Sequence, residues 1–125
     1  MNPDLAYYVV EYYFNLMNDV ERRAYNHLAG TMKATKGRDD LAAQREAINH
    51  RSFHRLLTSD PQVLELTKDG MQAFRTRVAA RILVDHEKEL RLNYCPQCQK
   101  LARTPNARQC RFCGYDWHSE IRDQR

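Results

Sequence analysis

Four cysteines near the C-terminal end constrain this chain more than any other feature. They are Cys95, Cys98, Cys110 and Cys113, and the 125-residue sequence contains no others. They form two Cys-x2-Cys pairs separated by eleven residues. Each pair can turn two thiolates toward one ion, and two pairs complete a tetrahedral shell of sulfur. Because sulfur ligands select zinc over harder metals, the spacing predicts one structural zinc ion.

Two disulfides, or a redox pair, are the alternative uses of four cysteines. The chain opens Met-Asn-Pro-Asp-Leu, with no basic segment leading into an apolar run, so we predict no secretory signal. A thioredoxin-type redox pair would need a βαβ context, which the sequence does not predict. We therefore expect reduced, metal-binding thiols in a cytoplasmic protein. No stretch approaches about 18 uncharged apolar residues, so we also expect no membrane partner.

The first 92 residues predict an all-α bundle of four or five helices. Caps, prolines and glycines divide the segment. The first expected helix covers 3–17, and the second is capped by Asn18 or Asp19 and ended by Gly37. The third covers 40–57 and is capped by Asp39 or Asp40. The fourth covers 61–68 and begins at Pro61, and the fifth covers 71–91. The short connection to the cysteines predicts a helical domain over 1–92 with a four-cysteine module over 93–125 packed on it, ending in a short polar tail. No internal repeat is visible.

The predicted helix 3–17 is apolar on all sides, and Glu11 is its only charge between Leu5 and Met17. Such a helix is normally buried or covered by a partner. Its tyrosines are a candidate protein interface: Tyr7, Tyr8, Tyr12 and Tyr13. The simpler interpretation is a core helix with hydroxyls that reach solvent. A homodimer through this helix would cover the same face.

The C-terminal stretch resembles the zinc-ribbon family through Cys95-Pro-Gln-Cys98 and Cys110-Arg-Phe-Cys113-Gly114. The resemblance covers about residues 93–118. It implies two tight knuckles joined by a short β-hairpin that turns near Thr104-Pro105-Asn106. Gly114 stands where a knuckle needs a left-handed residue, whereas Gln99 stands where glycine is common. The whole chain also looks like a small bacterial helical protein with a zinc-ribbon end. Zinc ribbons serve many functions, so the resemblance names none.

Basic and aromatic residues raise the question of nucleic acid. The net charge is +4, which fits such a partner without requiring one. The candidate contacts, to nucleic acid or to a protein, are Arg75, Arg77 and Arg81 on the helix 71–91 with Lys100, Arg103, Arg108, Arg111 and Trp117 around the cysteines. Four thiolates and one zinc ion sum to −2, however, so the cations near the cysteines partly serve the metal site.

Catalytic chemistry finds no support in the sequence. It contains no glycine-rich phosphate loop, no nucleophile elbow and no cysteine beyond the four. His50 and His54 are spaced for one helix face, but Arg51 stands where a zincin has its glutamate. His118 could replace a cysteine ligand, although the cysteines already complete the shell. We therefore expect no enzyme.

The sequence thus predicts a mainly α fold that ends in a small zinc module, and a non-enzymatic, zinc-stabilised binding protein. The first hypothesis is that another protein is the partner, as for an adaptor, an inhibitor or an immunity-type protein. The alternative is a nucleic-acid-binding regulator that uses the zinc module and the basic helix 71–91.

Overall fold

The computed structural model describes residues 1–50 and 52–121, apart from the side chains of residues 120 and 121. The predicted mainly α fold is confirmed. The α-helices are α1 (Pro3–Tyr12), α2 (Asp19–Ala34), α3 (Leu41–Ala47), α4 (Pro61–Thr67), α5 (Gly70–Asp85) and α6 (His118–Ile121), and single 3-10 turns cover Phe14–Leu16, His54–Leu56 and Glu87–Glu89. The predicted polar tail beyond residue 121 lies outside the described residues.

The helices begin where local caps predict. Asn18 and Glu21 form a reciprocal capping box at the start of α2, at 2.9 Å in both directions. Of the two candidate caps for α3, Asp40 takes the role and accepts a hydrogen bond from the Ala43 amide at 2.7 Å. Asp39 instead accepts from the Met71 amide at 2.9 Å and so caps α5 from another part of the chain. Initiation is therefore largely local, with α5 as the exception.

The helices end earlier than predicted in three places. The predicted helix 3–17 stops at Tyr12, because Tyr13 leaves helical geometry and its hydroxyl reaches the Arg91 backbone. The predicted helix 40–57 stops at Ala47, after which bonds to carbonyls three residues back tighten the chain into turns. The predicted helix 71–91 stops at Asp85, and the chain then turns back toward α1.

The core lies between α1 and α5, with α2 and α4 closing it. It is built from fully buried aliphatic and aromatic side chains, among them Val9, Val10, Leu28, Phe74 and Ile82. Burial of α1 follows from its apolar sequence, because a helix with so little polar surface is stable only when covered. α1 therefore packs its buried face along α5, while Tyr7 and Tyr12 remain exposed on its other side.

A buried polar network joins α2, α3 and α4. His27 Nδ1 accepts a hydrogen bond from the Thr58 amide at 3.1 Å, which leaves Nε2 to donate to Gln44 Oε1 at 3.0 Å. Gln44 Nε2 donates to the Thr67 carbonyl at 3.0 Å. Burial lowers the pKa of His27, partly opposed by the bond to Gln44. The neutral imidazole therefore fits this site.

None of the helices in the described part of the chain is long and apolar enough to cross a bilayer.

Candidate metal centre

Each Cys-x2-Cys pair forms a tight knuckle held by backbone hydrogen bonds. In the first, the Cys95 amide donates to the Lys100 carbonyl at 2.9 Å and the Gln99 amide donates to the Cys95 carbonyl at 2.9 Å. The amides of Gln97 and Cys98 lie 3.4 and 3.5 Å from Cys95 Sγ. These donors stabilise negative charge on the sulfur and aim it into the turn.

The second knuckle repeats the first with an offset of fifteen residues. Cys110 donates to Tyr115, as Cys95 does to Lys100, and the outer bonds Ala102 N–H to Asn93 O (2.7 Å) and Trp117 N–H to Arg108 O (2.8 Å) correspond in the same way. The two knuckles thus repeat in their backbone hydrogen bonds and not in their sequence. When residues 93–102 are aligned with residues 108–117, only the cysteines are identical.

The predicted β-hairpin between the knuckles is also wrong for the described residues. The segment forms two isolated antiparallel bridges, Tyr94 with Leu101 and Gln109 with Asp116, so that each bridge closes its own knuckle. The amide group of Asn93 instead orders the intervening loop, because its Nδ2 donates to the carbonyls of Thr104 (3.0 Å) and Ala107 (2.8 Å). The eleven residues between Cys98 and Cys110 therefore form a loop that Asn93 holds in place.

A left-handed residue follows the second cysteine of each knuckle. Gln99 has φ of 64° and Gly114 has φ of 78°. Glycine adopts this conformation freely, whereas a residue with a Cβ pays about 1–2 kcal/mol. The prediction for Gly114 is therefore confirmed, and Gln99 adopts the same geometry at a cost.

The four sulfurs gather around one point. Cys95 Sγ and Cys113 Sγ are 3.6 Å apart, Cys98 Sγ and Cys110 Sγ are 3.5 Å apart, and all four lie within 4.8 Å of one another. Zn–S bonds of about 2.3 Å place tetrahedral sulfurs about 3.8 Å apart. A disulfide would need about 2.05 Å. The cysteines are thus free thiols in a cluster that can bind one metal ion, and its all-sulfur donor set favours zinc.

The thiols of the cluster differ in environment. Cys95 and Cys110 are buried, whereas Cys113 is exposed. The backbone N–H groups of Cys113 and Phe112 point at Cys110 Sγ and outweigh burial, which lowers the pKa of that thiol to about 6. A metal ligand must be deprotonated, and Cys110 is the thiol of this knuckle that the backbone donors favour in that form. With four protein ligands the shell is closed to substrate.

The cysteine segment has a small core of its own and is joined to the bundle by the Tyr8 hydroxyl and by Leu101. Trp117 is 4% exposed and stacks on Tyr115 with ring centroids 6.3 Å apart, beneath the cysteines. Tyr8, fully buried in α1, donates its hydroxyl hydrogen to the Arg91 carbonyl at 2.6 Å and accepts from the Asn93 amide at 3.3 Å. Leu101 packs against the helical core. No local sequence pattern predicts that Asn93 or the Tyr8 hydroxyl joins the cysteine segment to the bundle.

The three arginines of α5 are paired with carboxylates. Arg75 lies 3.0 Å from Glu11, and Arg77 lies 4.0 Å from Asp69. Arg81 donates to both oxygens of the largely buried Glu21 at 2.6 Å. These hydrogen bonds raise the pKa of the Arg81 guanidinium above its usual value. A bidentate pair of this kind fixes the guanidinium in place. Arg75 and Arg81 tie α5 to α1 and α2, whereas Arg77 lies beside the residue that precedes its own helix. Each of the three cations thus has a carboxylate nearby.

The remaining candidate residues separate by exposure. Tyr7 and Tyr12 are exposed at 48% and 43%, whereas Tyr8 is buried and Tyr13 is half-buried. Trp117 is buried and cannot stack on a base. Lys100, Arg103 and Arg111 are exposed, although the Arg111 side chain retains only 29% of its accessible surface, and Arg108 is half-buried. Among the described residues, the histidines His50, His54 and His118 belong to no metal-binding group. His118 is hydrogen-bonded to Asp116.

Comparison with known protein families, curated proteins and solved structures yields no match to this chain. The resemblance to zinc ribbons therefore rests on the two knuckles alone. We call residues 93–118 the knuckle segment, after the geometry that they show.

Proposed function

We propose that this chain is a non-catalytic, zinc-stabilised binding protein whose partner is another protein. The closed sulfur shell supports a structural role for the metal, because four protein ligands leave no position for water or substrate. Structural zinc of this type supplies on the order of 10 kcal/mol of apparent binding energy, which becomes folding energy. A short segment with two isolated bridges needs such a contribution.

The observation that carries the choice of partner is the contrast between paired arginines and exposed rings. All three arginines of α5 have carboxylate partners, which weakens the basic helix that a nucleic-acid regulator would use. Aromatic side chains, by contrast, are exposed on α1 at Tyr7 and Tyr12 and on the knuckle segment at Tyr94 and Phe112. Exposed aromatic residues are enriched in protein interfaces. An adaptor, an inhibitor or an immunity-type protein would present such rings to its target.

Affinity purification of the zinc-loaded full chain from its native host, with and without nuclease, tests this proposal. We expect a protein partner that survives nuclease treatment and is lost with the double variant Tyr7→Ser/Tyr12→Ser or with a variant that removes Phe112. Val84→Ser is the matched control, because Val84 is an apolar residue of α5 that is 80% exposed. Recovery that depends on nucleic acid and collapses at moderate salt would support the alternative regulator instead. Sedimentation equilibrium of the same variants tests a homodimer through α1.

A further inference from the structure

A cleft of about 410 Å³ lies where the first turn of α1 meets the two knuckles. We call it the junction cleft. α1 contributes Asp4 and Leu5, and the knuckles contribute Tyr94, Lys100 and Phe112, together with Arg111. Its volume falls within the range of ligand sites in proteins, about 300–1,000 Å³. The junction cleft is the place where the helical and metal-binding parts of the chain form one surface.

The cations of the junction cleft converge on one ring. Lys100 Nζ and the Arg111 guanidinium carbon each lie 4.8 Å from the Phe112 ring centroid, so twice that distance, 9.6 Å, is their greatest separation. Arg111 also lies 3.3 Å from Asp4. Lys100 has no ion pair with any carboxylate whose side chain the structure describes. Lys100, without a carboxylate partner there, and Arg111, which shares its charge with Asp4, therefore face the junction cleft and favour an anionic ligand.

The junction cleft also offers apolar surface beside these charges. Tyr94 and Phe112 are exposed at 47% and 49%, and Leu5 and Leu101 are half-buried along the same walls. Exposed rings beside cations can hold an apolar side chain while the cations bind a neighbouring carboxylate. The combination suits a peptide that alternates acidic and apolar residues.

The charge balance separates a peptide from a polyanion. A single strand of nucleic acid needs several phosphate contacts, because its affinity comes chiefly from counterion release. The junction cleft supplies two cations, and Asp4 opposes them. The neighbouring sulfur cluster would carry −2 with zinc bound, of which the backbone N–H groups that point at Cys95 Sγ and Cys110 Sγ take up a part, so the room for negative charge is small. A few carboxylates can be satisfied here, whereas a long row of phosphates cannot.

We propose that the junction cleft binds a short acidic segment of a partner protein, with carboxylates on Lys100 and Arg111 and an apolar side chain against Tyr94 and Phe112. This inference rests on the proposed function, since it names the surface and the chemistry of the partner. Tyr94 precedes Cys95, and Arg111 and Phe112 lie between Cys110 and Cys113. The metal that orders the knuckles therefore also builds the junction cleft, so binding requires zinc.

The test uses a displayed library of random dodecapeptides selected on the zinc-loaded full chain. We expect the selected peptides to be enriched in Asp and Glu beside an aromatic or aliphatic residue. Fluorescence polarisation with one selected peptide should show affinity falling about fivefold to tenfold in Lys100→Ala and further in Lys100→Glu. Arg103→Ala is the matched control, because it removes the same charge from the knuckle segment outside the junction cleft. Zinc content and circular dichroism should be unchanged in all three variants.

The outcomes distinguish this inference from the proposed function. Peptides that bind but are insensitive to Lys100→Glu, or equally sensitive to Arg103→Ala, would overturn the junction cleft and leave the protein-binding proposal standing. A selection without acidic enrichment, or without any binder, would overturn it as well, while the affinity purification still tests the broader function. A single-stranded oligonucleotide of about twelve residues is the competing probe. Tighter, Lys100-dependent binding of that probe would overturn the choice of an acidic peptide.

Discussion

Replacement of Gln99 by glycine should tighten the binding of zinc. Gln99 and Gly114 occupy the same position in the two knuckles, with φ of 64° and 78°. A residue with a Cβ pays about 1–2 kcal/mol in this region. Glycine removes that strain, but it destabilises the folded knuckle by about 0.4–1 kcal/mol because it makes the unfolded chain more flexible. The expected net gain of Gln99→Gly is about 0.5–1 kcal/mol.

Zinc affinity is the appropriate measurement, because knuckle folding and metal binding are coupled. A gain of about 0.5–1 kcal/mol corresponds to about a twofold to fivefold lower dissociation constant. Competition with a chromophoric chelator at fixed pH resolves such a change. Gly114→Ala should weaken binding by a comparable factor. An added Cβ at Gly114 meets nothing within 4 Å, so only backbone strain acts there.

Two controls isolate the backbone effect. Gln99→Ala removes the long side chain but keeps the strain, so it should leave zinc affinity nearly unchanged. Gly37→Ala places a Cβ at φ of 98° in open space at the end of α2. It should lower the free energy of unfolding of the bundle without changing zinc affinity. If Gln99→Gly weakens zinc binding, or if Gln99→Ala strengthens it as much, the argument from left-handed strain is wrong.

Three further changes test the junction, the metal and the buried network. Complete zinc removal should expose residues 93–118 to hydrogen exchange before the bundle, and retained amide protection there would contradict a structural metal. Tyr8→Phe should lower the free energy of unfolding by about 1–2 kcal/mol in denaturant titrations, because the Asn93 amide loses its acceptor; Tyr13→Phe, at a more exposed hydroxyl, should cost less. The contribution of neutral His27 should be fully present above its unfolded pKa of about 6.5 and decline as pH falls toward its lowered folded pKa. His27→Gln should remove that part of the pH dependence, which begins as pH falls through about 6.5, and an unchanged dependence would count against the buried imidazole.

Local chemistry made the metal centre and the helix starts predictable. The spacing of the cysteines alone restricts where four sulfurs can lie, and the cluster at 3.5–3.6 Å follows from two short turns. Caps such as Asn18 and Asp40 act within three residues, so a single sequence contains the whole interaction. The apolar α1 was predictable for a similar reason, because its burial depends on its own composition.

Helix ends and the repeat of the knuckles were not predictable in this way. No glycine or proline stands near Tyr13 or Asp85, and the helices stop there as the chain around Arg91 and Asn93 meets tyrosine hydroxyls from α1. The fifteen-residue repeat lies in hydrogen bonds between main-chain groups, which any residue can make. Side chains outside the cysteines are free to differ, so sequence comparison within the chain does not detect it.

The arginines of α5 show why a helical face is a poor guide to partners. A charge pattern along one helix indicates which side chains share a face, but it does not show which carboxylates the fold places opposite them. Glu11 and Glu21 come from helices about sixty residues earlier in the chain, and they pair with Arg75 and Arg81. Both pairs are largely covered by the fold, so they join α5 to α1 and α2 and balance the charge of the two arginines. Under the proposed function, recognition would fall to the exposed rings and to Lys100, which has no carboxylate partner among the described side chains and lies over the Phe112 ring.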